Sequence, residues 1–134
     1  MKLYTIGFTK KSARTFFGLL QKSGAERLVD VRLNNVSQLA GFAKRDDLAY
    51  FLAEICGMDY SHELQLAPTQ AMLDDYKKHG AKWVDYERWY LDLITERRIE
   101  ERISRSLLDK SVLLCSEPAE HHCHRRLVAE YLAE

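Results

Sequence analysis

The residues best equipped for chemistry cluster late in the sequence. Cys115 and Cys123 stand eight positions apart, with His121, His122 and His124 between or beside them. Zinc takes thiolate and imidazole ligands in a tetrahedral set, so Cys115, Cys123 and His124 form one candidate metal group. The spacing is not that of a short Cys-x-x-Cys pair, so a divalent metal such as zinc is one option among three. Cys123 also falls near the predicted start of the last helix. Backbone N–H groups and the helix dipole there favour a thiolate, and Arg125 adds positive charge, which is the setting of a nucleophilic cysteine. The third option is a small buried hydrophobe, the state of most free cysteines. The phosphatase pattern Cys-x5-Arg is not met, because His121 stands where the arginine would be. Glu117 and His62 are the candidate general acid–base groups. Asp30 and Arg32 form a second constellation. They read either as a local ion pair or as a carboxylate holding a guanidinium fork toward a phosphate or carboxylate ligand. Both readings stay open. The second predicts that Arg32→Ala weakens anion binding without unfolding the protein.

These residues need elements to position them. Lys2 to Ile6 reads as a strand ending at Gly7, and Ser12 can cap a helix carrying Ala13, Phe16, Phe17 and Leu20 that closes at Gly24. Arg27 to Val31 is a short apolar strand. A helix starting at Asp46 or Asp47 carries Leu48, Phe51, Leu52 and Ile55, with Cys56 as a packing residue. Met58 to His62 reads as a third strand, Thr69 caps the next helix, and Tyr86, Trp89, Tyr90 and Leu93 give another helical face. Ser111 to Cys115 is the clearest strand, and Leu127, Val128, Tyr131 and Leu132 mark a final helix whose inner face would include His124.

Alternation of this kind predicts one α/β domain over residues 1–134, Rossmann-like in plan. It has three layers, with a small, mostly parallel sheet of about four strands flanked by helices, in the expected order 3-2-1-4. Ligands of such sheets bind outside the carboxyl ends of the strands. Gly7–Lys10, Asp30–Arg32, Tyr60–Glu63, Cys115–Glu117 and Cys123–Arg125 should therefore face one crevice.

Composition limits the function. The chain has 134 residues, 46% hydrophobic and 30% charged, with 20 basic and 20 acidic residues and zero formal net charge. That disfavours a non-specific nucleic-acid binder and leaves a local patch open. Trp83, Tyr86, Trp89 and Tyr90 with Arg88 could stack bases, but aromatics at helical spacing more often form a core or an oligomer interface. No apolar run is long enough for a membrane helix. The N-terminus lacks a signal-peptide pattern, and three cysteines are a poor disulfide framework, so a cytoplasmic setting is expected.

With these motifs in view, the sequence resembles the domain-of-unknown-function 488 family. The resemblance rests on Tyr4-Thr5-Ile6-Gly7, Leu28-Val29-Asp30-Val31-Arg32, Gly57-Met58-Asp59-Tyr60-Ser61-His62, and Leu114-Cys115-Ser116-Glu117 followed by Cys123-His124-Arg125. It implies an intracellular α/β domain with a site built from these segments. The chain has Phe8 where the family usually carries a histidine, Leu33-Asn34-Asn35-Val36-Ser37 where a proline is usual, and Leu66-Ala67 for a frequent Leu-Gly.

The expected function is an enzyme or ligand-processing domain acting on an anionic, nucleotide-like or nucleic-acid-related substrate. Cys123, Glu117, His62 and Asp30 would be its catalytic groups, and Arg32, Arg125 and Tyr60 would bind substrate. A metal-binding structural module, or a non-catalytic interaction module associated with nucleic acid, is the alternative. An oligomer formed through the aromatic helix around Trp89 is a further expectation.

Overall fold

The computed structural model describes residues 3–8, 11–33, 41–115 and 124–133, and the side chains of Lys77, Cys115, His124, Arg125, Arg126 and Ala133 lie outside that description. The local signals translate directly into elements. β1 (Leu3–Gly7) leads to α1 (Ala13–Ser23). The Ser12 side chain accepts a hydrogen bond from the Thr15 amide, and Gly24 ends the helix in the left-handed region at φ 71°. β2 (Arg27–Asp30) is followed by α2 (Arg45–Phe51), which runs on into a π-helical turn, Leu52–Cys56, ended by Gly57 at φ 60°. After β3 (Asp59–His62) come α3 (Gln70–Lys77), capped by Thr69, and α4 (Trp83–Arg97). Arg98 takes a left-handed conformation and breaks the helical run before the short α5 (Ile99–Arg102) and α6 (Arg105–Leu108). β4 (Ser111–Cys115) and α7 (His124–Ala133) complete the described chain.

The strands form one parallel sheet in the order β1-β4-β2-β3. The expected order 3-2-1-4 is corrected: β4 is inserted between β1 and β2 rather than lying at the edge. The physical reason is burial. Val112 and Leu114 point into one core and Leu113 into the other, all nearly solvent-free, so β4 needs cover on both faces and a partner on both sides. β1, with Tyr4 exposed, and β3, with Asp59 exposed, tolerate the edges.

Two cores enclose this sheet. On one face α1 and α2 bring Phe16, Phe17, Leu20, Leu48 and Leu52 against Ile6, Leu28, Val112 and Leu114. On the other, α3–α7 pack Tyr86, Tyr90, Ile94, Ile99, Leu108, Leu127 and Val128 against Val29 and Leu113. Burying Tyr86 and Tyr90 makes the aromatic face of α4 mainly core, with Trp83 and Trp89 partly buried against it. The Cys56 thiol is partly buried, approaches the Phe17 carbonyl at 3.9 Å and has its pKa raised by that burial, which suits a packing residue.

The chain moves from β1 through β2 to β3 with helices on one face, then returns to β4 with helices on the other. Opposite travel on opposite faces keeps the hand of the crossovers constant. It also means that neighbouring strands send their outgoing connections to opposite faces all along the sheet, and ligands of parallel sheets bind at such points.

Candidate functional site

β2 and β3 pair with Asp30 opposite His62 and Leu28 opposite Tyr60. Residues two apart on a strand share a face, so Asp30 lies on the same face as Leu28, and His62 on the same face as Tyr60. The chain beyond Asp30 brings Arg32 back to it. Arg32 Nε donates to Asp30 Oδ1 at 2.8 Å, and Nη2 donates to Oδ2 at 2.7 Å. The Arg32 amide also donates to Oδ1 at 3.1 Å, and the Tyr60 hydroxyl donates to Oδ2 at 2.6 Å. A carboxylate offers about four lone-pair sites, and these donors occupy them. Asp30 is fully buried and Arg32 is 3% exposed. The pair is therefore a desolvated fork, held from a third side by the Tyr60 hydroxyl.

Two neighbours complete the cluster. The Phe8 ring, just past β1, lies 5.4 Å from the Arg32 guanidinium carbon, at cation–π distance. His62 Nε2 lies 2.7 Å from the Arg32 carbonyl oxygen. A carbonyl can only accept, so Nε2 carries the proton and donates it. In the neutral imidazole this leaves the lone pair on Nδ1, for which no hydrogen-bond partner is seen among the described residues. One guanidinium nitrogen is also left over: Arg32 Nη1 is buried and has no hydrogen-bond partner among the described residues.

The turn after β3 is anchored from the opposite core. Arg97 Nη1 donates to the Gln65 and Ala67 carbonyls at 2.8 and 2.7 Å, and the buried Tyr90 hydroxyl donates to the Leu66 carbonyl at 2.6 Å. Burial, reinforced by neighbouring Tyr86, pushes the Tyr90 hydroxyl well above the ordinary tyrosine value, so it stays a donor. A raised folded-state pKa stabilises the fold fully below the unfolded value near 10, and that stability is lost as pH rises beyond it. Tyr90→Phe should cost about 1–2 kcal/mol at neutral pH by leaving a buried carbonyl unpaired. It should also flatten the loss of stability above about pH 10. Urea titrations of both proteins at neutral pH and above that value check it.

The structure thus brings together Asp30, Arg32, Tyr60 and His62, as expected from the strand ends. Cys115 ends β4 opposite Gly7 of β1. His124 and Arg125 begin α7, but their side chains, like that of Cys115, lie outside the described residues, as do Glu117 and Cys123 entirely. Among the described residues, no three His, Cys, Asp or Glu side chains come together as a metal site. Sequence reasoning missed Arg97 and Tyr90 as anchors, because their partners are distant carbonyls. It noted Phe8 only as a departure from the family pattern. An aromatic residue directly after a strand-end glycine was the available signal.

A parallel sheet with helices on both faces and a polar cluster at its carboxyl edge defines a three-layer α/β protein with a candidate ligand site. The family described as domain of unknown function DUF488 matches residues 12–132, and the chain belongs to it. Comparison with curated proteins found no match, and comparison with solved structures found none either. No helix among the described residues is long and apolar enough to cross a membrane.

Proposed function

We propose that this protein is a cytoplasmic enzyme or ligand-processing domain acting on a small anionic substrate, such as a nucleotide, at the carboxyl ends of β2 and β3. The observation that carries this reading is Arg32. A buried guanidinium held on Nε and Nη2 by Asp30, with Nη1 unpartnered among the described residues, lacks an acceptor where one is worth most. Leaving charged N–H groups buried and unpaired is costly, and a phosphate or carboxylate oxygen is the acceptor that matches a guanidinium best.

The roles follow from this placement. Arg32 binds the anion, and Asp30 is a positioning residue whose lone pairs are already occupied. Tyr60 holds Asp30 and borders the substrate. His62, with its proton fixed on Nε2, offers Nδ1 as the general base. Arg125 at the start of α7 is the second cation, Cys123 the nucleophile or a metal ligand, and Glu117 a further acid–base group. These last three assignments rest on sequence spacing.

Calorimetric titration with inorganic phosphate and with a nucleoside monophosphate tests the reading. Arg32→Lys keeps one charge for Asp30 but loses the fork, and the affinity should fall by about tenfold or more, the worth of one charge-assisted hydrogen bond. Circular dichroism confirms that the variant is folded. Equal affinities in a folded variant, or no heat of binding to the wild type with either anion, would contradict the proposal.

A further inference from the structure

The outer side of the α1/α2 layer carries a cleft of about 460 Å³, bounded by Arg14, Phe17, Gly18 and Gln21 of α1 and by Phe51 and Ile55 of the helix opposite. None of these residues belongs to the cluster around Arg32. The cleft volume falls within the roughly 300–1,000 Å³ typical of small-molecule sites.

Three features point to a built site. Gln21 Nε2 donates to the Ile55 carbonyl at 2.9 Å, pinning α1 to the π-helical turn and fixing the separation of the walls. That π-helical turn, Leu52–Cys56, is itself a conformation that recurs beside functional sites. Gly18 sits inside α1, where glycine is unfavourable, yet a Cβ there would meet nothing within 4 Å and the backbone needs no left-handed angle. Packing therefore gives no reason for glycine, and its missing side chain deepens the cleft.

The lining sets the ligand chemistry. Phe17, Phe51 and Ile55 supply apolar walls, while Arg14 on the rim is exposed and has no ion-pair partner among the described residues. We infer that this cleft binds a small amphipathic carboxylate, with its apolar body against Ile55 and the edge-to-face pair Phe17 and Phe51, and its carboxylate on Arg14. This is independent of the anion site around Arg32.

The test uses 4-phenylbutyrate and its neutral counterpart 4-phenylbutanol, followed by amide NMR of the whole chain. The carboxylate should produce saturable shifts at Gly18, Gln21 and Ile55. Gly18→Leu should abolish them, with Ile55→Asn as a second variant that opens the apolar wall without touching α1. Arg14→Gln should weaken phenylbutyrate by about tenfold while leaving phenylbutanol unchanged. The absence of saturable shifts up to about 5 mM ligand would overturn the inference, since one apolar ring and one ion pair should reach that affinity. So would shifts that survive both cleft variants, or an Arg14→Gln effect equal for the acid and the alcohol.

Discussion

Arg32→Ala should destabilise the domain by about 3–5 kcal/mol, because it leaves the Asp30 carboxylate buried without its cation. The geometry is what makes the effect large. Asp30 is fully buried and receives two guanidinium bonds at 2.8 and 2.7 Å, and the Tyr60 hydroxyl and the residue-32 amide that also donate to it carry no full positive charge to replace the guanidinium. Burial thus makes Arg32→Ala a test of stability as well as of anion binding. A surface pair of the same residues would be worth about 0–1 kcal/mol. The pair should also be strongly non-additive. Asp30→Asn combined with Arg32→Met removes both charges, and it should cost less than Arg32→Ala alone, since what hurts is the unpaired charge rather than the missing bridge. Urea unfolding of the wild type, the single variant and the double variant measures this. A single-variant loss below about 1 kcal/mol would place the pair in solvent.

Leu113→Ala should be the other large effect, at about 2–5 kcal/mol. Leu113 is fully buried in the core beneath α4–α7, on a strand paired with β1 on one side and β2 on the other. Neighbours held by a strand ladder on both sides cannot collapse into the cavity, so the cost should fall in the upper part of that range. The same placement predicts slow amide exchange along β4 and faster exchange along the edge strands β1 and β3. Exchange of β4 amides as fast as those of β1 would favour an edge position and contradict the observed strand order.

Much of this architecture was legible because the signals are local. Ser12 and Thr69 cap helices through their own hydroxyls, and Gly24 and Gly57 end helices in the left-handed region, so each could be read from a few neighbouring residues. Strand order was not local. Placing β1 beside β2 follows chain proximity, whereas the decisive signal was the contrast between Val112-Leu113-Leu114 and the polar Asp59 and Ser61 of β3. A break before Ile99 was also readable, where the helical spacing restarts, and it falls at Arg98; the π-helical turn at Leu52–Cys56 depends on packing that no short window records.

The candidate site divides in the same way. The strand-end rule places Asp30, Arg32, Tyr60 and His62 together from the sequence alone. Whether Asp30 and Arg32 form a local ion pair or a fork held toward a ligand is not a local signal, because the surroundings of the guanidinium depend on Phe8 and on the strands beside it. The Nε2 tautomer of His62 depends likewise on a backbone carbonyl brought close by the pairing of β2 with β3.

The most direct test of the central claim is an NMR spectrum of the folded wild type carrying isotope-labelled arginine, recorded as inorganic phosphate is added. If Arg32 offers Nη1 to an anion while Asp30 keeps Nε and Nη2, one guanidinium should shift saturably and its Nη1 protons should exchange more slowly with water. An Arg32 signal that stays unchanged to saturating phosphate would mean that the fork is purely structural, and would contradict the assignment of an anion site to these strand ends.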